Sequence, residues 1–108
     1  MNKKVLTKYI VVGTYFTLDG NISHAQSIGG MFSALSTAQK WVISNKGGGL
    51  LEKCSEYALS HGMTVELSQN DAEGLSYLLE VVDGKTRYPS IQYDIVALKY
   101  KMEGVQKL

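Results

Sequence analysis

Cysteine occurs once in this 108-residue chain, proline once and histidine twice. A lone Cys54 cannot close an internal disulfide, which argues against the small secreted class stapled by disulfide bridges and makes the cytoplasm the expected compartment. Two histidines, His24 and His61, and one thiol match no zinc spacing. No Asp-x-Asp or Glu-x-x-His pattern pairs the carboxylates for metal or acid–base work, so no metal is expected. Long apolar runs are also missing. The longest, such as Tyr9 to Val12 and Ile95 to Leu98, are strand-sized and far below the ~18 residues of a membrane helix. The basic start, Met1 to Lys8, is followed by no signal-peptide core or cleavage pattern, so neither export nor membrane contact is expected.

Phosphate and dinucleotide signatures are absent too. Lys46-Gly47-Gly48-Gly49 precedes a helical pattern, where free N–H groups and the helix dipole could hold an anion, and it is the candidate anion site. It carries neither Gly-x-x-x-x-Gly-Lys-Ser/Thr nor Gly-x-Gly-x-x-Gly, so a glycine connector explains it better and no cofactor is expected. Gly84-Lys85-Thr86 lacks the earlier glycine and reads as a hairpin loop.

What is present is an ordinary globular composition, 44% hydrophobic and 19% charged. That suffices for one core and argues against disorder. One domain over 1–108 is expected, with 1–7 and 102–108 as fraying ends. The net charge of +1 hides a pattern. Residues 1–51 carry five lysines and one aspartate, residues 52–83 carry seven acids and Lys53, and residues 84–108 are basic again. With a −6 segment between the two basic ones, a strong nucleic-acid site is not expected, because such sites rely on clustered positive charge.

Tyr9 to Leu18 is rich in β-branched and aromatic residues and runs into Asp19-Gly20-Asn21, a hairpin signal. Ile22 to Phe32 returns as a second strand, with Gly29-Gly30 marking a bulge or early end. Ser36-Thr37-Ala38-Gln39 matches a capping box for a helix that stops at Asn45-Lys46-Gly47-Gly48-Gly49. Leu50, Leu51, Cys54, Tyr57, Ala58 and His61 form the apolar stripe of a second helix, with Gly62 at its left-handed end. Cys54 lies within that stripe and about 10 Å along the axis from His61, too far for a thiol–imidazole pair. It is read as a core thiol, His61 as a helix-end residue and His24 as a solvent-facing strand residue.

Met63 to Leu67 alternates as a strand. Residues 72–82 fit either a helix or a strand, and the strand is preferred because Asp83-Gly84 follows. Tyr88-Pro89 is a break, and Ile91 to Tyr100 is the last strand. The predicted fold is α+β in two layers: a mostly antiparallel sheet of 4–5 strands with two helices packed on one face, in the order ββααβββ.

The first strand is apolar on both faces. Ile10, Val12, Phe16 and Leu18 are assigned to the core face, and Tyr9, Val11 and Tyr15 to the other. Two helices cannot cover both sides, so the second set is expected to meet a protein partner or another copy of the chain. Seven tyrosines, with Tyr88 near Lys85 and Arg87, give the alternative of a single-stranded nucleic-acid surface. The leading expectation is a non-catalytic, homo-oligomeric interaction domain, of the accessory, regulatory or inhibitor kind that mobile elements also carry. A small enzyme ranks below both.

Overall fold

The computed structural model describes residues 4–17, 19–44, 56 and 58–102. Five strands, β1 (Lys4–Phe16), β2 (Ile22–Phe32), β3 (Thr64–Gln69), β4 (Ser76–Asp83) and β5 (Thr86–Met102), form one antiparallel sheet in the order β2-β1-β5-β4-β3. Helix α1 (Leu35–Ser44) follows β2 and packs on β1, β2 and β5. A second helix is described at Glu56 and Ala58 to Ser60.

The α+β class and the antiparallel sheet are as predicted, but the arrangement of helices is not. Among the described residues the sequence of full elements is ββαβββ, and the helices are not packed as a pair over the core cluster. Ala58 of the second helix is fully buried yet lies outside the cluster that α1 joins. The glycine-rich stretch separating the two helices gives no spacing or capping signal for how they sit relative to each other.

Several elements are longer than the propensities indicate. β1 starts at Lys4 and β5 reaches Met102, so residues 4–7 and 102 are paired strand rather than frayed ends. Tyr88-Pro89 does not break the chain. Pro89 sits opposite Glu80 where the β4–β5 register shifts, and a bulge is where a strand tolerates a residue with no N–H. The Gly29-Gly30 bulge is present: both residues have positive φ, and the β1–β2 register slips there. The second helix ends in a Schellman turn, with Met63 N–H donating to the Ala58 carbonyl at 2.7 Å and Gly62 left-handed at φ 72°.

The capping box does not form. α1 begins at Leu35, with Ala38 N–H bonded to Ala34, and the Gln39 amide instead donates to the carbonyls of Glu73 and Gly74 at 3.2 and 3.1 Å. That ties the helix to the β3–β4 loop. Within the loop, Asp71 accepts from Leu75 N–H and Ser76 N–H, both at 2.9 Å.

The core cluster of the described residues lies on one side of the sheet. The buried strand residues with large side chains are Val11, Tyr77, Leu79, Ile91, Tyr93 and Ile95. All six fall on one face, because β1 and β5 pair without a slip and place Val11 beside Ile95, while Tyr77 pairs with Tyr93 and Leu79 with Ile91. Ala38 and Val42 of α1 close over them. The core face assigned from the sequence is therefore reversed: Val11 is at the centre, and Tyr9 and Tyr15 are half-buried against the same cluster. Both alternating sets of β1 are apolar, so their pattern could not decide which one the helix would cover.

Candidate functional surface

Three regions of the surface carry features beyond packing. The first is the sheet face opposite α1. Leu6, Ile10 and Val12 of β1 share it with Val96, Leu98 and Tyr100 of β5, since Leu6 pairs with Tyr100, Lys8 with Leu98 and Ile10 with Val96. Met31 of β2 pairs with Ile10 on the other side. None of these side chains is buried, and Leu6, Met31, Val96 and Tyr100 are exposed. Towards the middle the face turns polar, where the Gln92 amide donates to Asp94 at 3.1 Å. At the far end Arg87 Nη1 bonds Glu66 at 3.0 Å and Glu80 at 3.3 Å.

The second region is where β1 and β5 outrun their neighbours. Pairing of β1 with β2 begins at Tyr9, and pairing of β4 with β5 ends at Asp94. The pairs from Lys4↔Met102 to Lys8↔Leu98 therefore form a ribbon of only two strands. Val5 and Lys99 are exposed there. The ribbon unites the two basic ends that an acidic stretch separates in sequence, with Thr7 opposite Lys99. Lys8 Nζ donates to Ser33 Oγ at 2.9 Å.

The third is a cleft of about 630 Å³ at the opposite end, where β1 stops short of the start of β5. Phe16, Met63, Val81, Tyr88 and Pro89 line it, with Asp83 at the polar side. No histidine or cysteine is among these lining residues, and the described residues contain no cluster of His, Cys, Asp and Glu able to hold a metal ion.

The residues singled out from the sequence scatter over this structure. Tyr9, Val11 and Tyr15 lie under or beside α1, so the outward surface they were expected to form is covered by the chain itself. Lys85 sits in the exposed β4–β5 turn, Tyr88 in the cleft wall, and Arg87 is held by its two glutamates. The Glu66 hydrogen bond, foremost, keeps the Arg87 guanidinium pKa raised. Lys85, Arg87 and Tyr88 thus do not converge with the other three. Lys46, Gly47, Gly48 and Gly49, and Cys54, lie outside the described residues.

His24 is exposed as expected, but it also stacks on Tyr15, with ring centroids 4.6 Å apart and planes 9° from parallel. The cross-strand pairing of Tyr15 with His24 brings them together. The apolar patch was legible as the Ile10–Val12 and Val96–Leu98–Tyr100 alternations, assigned to the wrong side in β1. The two-stranded ribbon had no signal, because strand ends are set by the neighbours that stop pairing.

No helix among the described residues is long and apolar enough to cross a membrane. Comparison with family models, curated proteins and solved structures finds no match.

Proposed function

We propose that this chain is a non-catalytic protein-binding module that works through the open face of its sheet. The observation behind the proposal is the one-sided core of the described residues: one face is closed by α1, while the other carries Leu6, Ile10, Val12, Met31, Val96, Leu98 and Tyr100 around Lys8, four of the apolar residues exposed. Contiguous apolar area of this kind is costly in water and marks association surfaces more often than scattered apolar residues do. A second copy is the first partner to test, since a single face repeated across a two-fold axis satisfies itself.

Light scattering over a concentration series tests it. The wild type is expected to associate, burying roughly 1,200–2,000 Å² in total. A Met31→Lys, Val96→Lys double variant should stay folded and monomeric, because both sites are already exposed. A wild type that is monomeric throughout, binds no protein and differs in nothing from the double variant would sink the reading.

A second reading, contact with single-stranded nucleic acid, draws on the ribbon that joins the basic ends. Its signature is affinity that falls steeply with salt.

A further inference from the structure

β5 continues past the last strand that covers its outer side. The final bond on that side runs from Ile95 N–H to the Leu75 carbonyl, 2.8 Å. Backbone groups along an antiparallel strand point alternately to its two neighbours. Val96, Leu98 and Tyr100 therefore bond inward to β1, whereas Ala97, Lys99 and Lys101 direct N–H and C=O outward, as Ile95 does. No described residue pairs with them there. A ribbon of two strands is marginal in water by itself, and a third strand stabilises it.

The side chains along this edge sort by face. Val96, Leu98 and Tyr100 belong to the open apolar face, while Ala97 and Lys99 lie on the face that bears α1. A strand added here meets apolar neighbours on one face and lysine on the other.

Three occupants can be weighed against that pattern. A second copy pairing through the same edge, centred on Lys99, would set lysine against lysine, and edge lysines are a usual means of blocking such self-pairing. Nucleic acid would use the lysines and Tyr100 and leave the outward backbone groups, Val96 and Leu98 without a role. An extended peptide with acids on one side and apolar residues on the other uses all three features.

We infer that the free edge of β5, residues 97–101, is a strand-addition site for an extended peptide segment in which acidic and apolar residues alternate. This rests on the reading of the chain as a protein-binding module, and it states the place and chemistry of one partner. The added strand takes its hydrogen bonds from Ala97, Lys99 and Lys101, its apolar contacts from Val96, Leu98 and Tyr100, and its register from Lys99. It is a form of β-augmentation, in which main-chain bonds supply affinity and alternate side chains supply selectivity.

The test is an NMR titration of the full isotope-labelled chain with an eight-residue peptide alternating Glu and Val. Controls are a peptide of the same composition with its acids and valines in two blocks, an alternating Lys–Val peptide, and a mixed-sequence single-stranded DNA. The alternating acidic peptide should shift residues 96–101 and slow amide exchange at Ala97 and Lys99, and the block peptide should do neither. Lys99→Glu should weaken binding about fivefold, in keeping with ~1 kcal/mol for an exposed ion pair, and should favour the Lys–Val peptide instead. Lys99→Pro removes an outward N–H that no described residue bonds, so it should abolish binding with the circular dichroism unchanged.

Absence of shifts at millimolar peptide, equal binding of the block peptide, binding indifferent to Lys99→Pro, or stronger shifts of the same residues by DNA would each overturn the inference. If it fails while association sensitive to Met31→Lys, Val96→Lys persists, the protein-binding reading stands and only the edge is wrong. If that association is missing as well, both fail.

Discussion

At the scale of single residues, glycine and aspartate at two junctions fix how α1 sits on the sheet. Gly29 has φ 77°, and a Cβ there would stand 2.7 Å from the Trp41 ring. Gly29→Ala should therefore destabilise by about 2 kcal/mol or more, since it combines left-handed strain with a clash against a large side chain. Gly74→Ala should cost less, since its Cβ falls 2.6 Å from Gln39 Nε2, the end of a flexible side chain, and mainly the left-handed φ of 74° opposes it. Asp71 binds two backbone N–H groups in the same loop, and Asp71→Ala should cost about 2 kcal/mol by leaving half-buried donors unpaired. Urea unfolding of the three variants measures these losses, and a neutral Gly29→Ala would mean that the helix docks elsewhere.

Tyr77 adds a pH dependence. Its hydroxyl pKa is raised above the ordinary 10.0, first by burial and then by the Asp71 carboxylate. In the unfolded chain the same phenol ionises at the ordinary value. The stabilisation is thus complete below pH ~10 and is lost as pH rises through the folded pKa. Tyr77→Phe should flatten the alkaline arm of the stability curve, and a variant that keeps the full slope would assign it to another group.

At the scale of elements, β1 shows what a sequence can and cannot carry. Turn chemistry was legible at most left-handed positions: Gly20, the Gly29-Gly30 bulge, Gly62 and Gly84 all have positive φ and lie where the sequence marks a turn, bulge or helix end, whereas Gly74, left-handed at φ 74°, falls within residues 72–82 and was not marked. The strand reading of residues 72–82 holds from Ser76, where β4 begins, while residues 72–75 belong to the β3–β4 loop. What failed depended on contacts distant in sequence. The orientation of β1 was invisible because Tyr9, Val11 and Tyr15 are as apolar as Ile10, Val12 and Phe16, and only the position of α1 separates them. The same holds for Gln39, whose capping-box spacing is overridden by carbonyls 34 and 35 residues away.

A direct check follows from this orientation. Val11→Asp places a charge in a fully buried site under Ala38 and Val42 and should unfold the chain. Val12→Asp, on the open face, should leave a folded protein with impaired association. Leu79→Ala, removing a fully buried side chain, should cost roughly 3 kcal/mol. Circular dichroism with thermal melting separates these outcomes, and a folded Val11→Asp would mean that the two faces have been interchanged.

At the scale of the whole molecule, the shape follows from a sheet with one closed side and a ribbon extending from it. The radius of gyration is 17.2 Å and the long axis spans 60 Å, whereas a compact chain of this length is expected near 13 Å. Elongation leaves more apolar area in water for the same number of residues, and that area is concentrated beside the lysines of the ribbon. Two kinds of partner therefore compete for one region, and their salt responses have opposite sign. Apolar association strengthens when a salt such as sulfate is excluded from the surface. Binding to a polyanion weakens as counterions cease to be released. Raising sodium sulfate in light scattering should increase the associated fraction of the wild type and leave the Met31→Lys, Val96→Lys variant monomeric. A fluorescent mixed-sequence single strand should bind weakly at low salt and lose that binding by physiological ionic strength, because Arg87 is held by Glu66 and Glu80 and the exposed Lys40 and Lys85 lie outside the ribbon. Submicromolar strand binding at physiological salt, with self-association that falls as sulfate is added, would reverse the order of the two readings and make the ribbon, rather than the apolar face, the principal working surface.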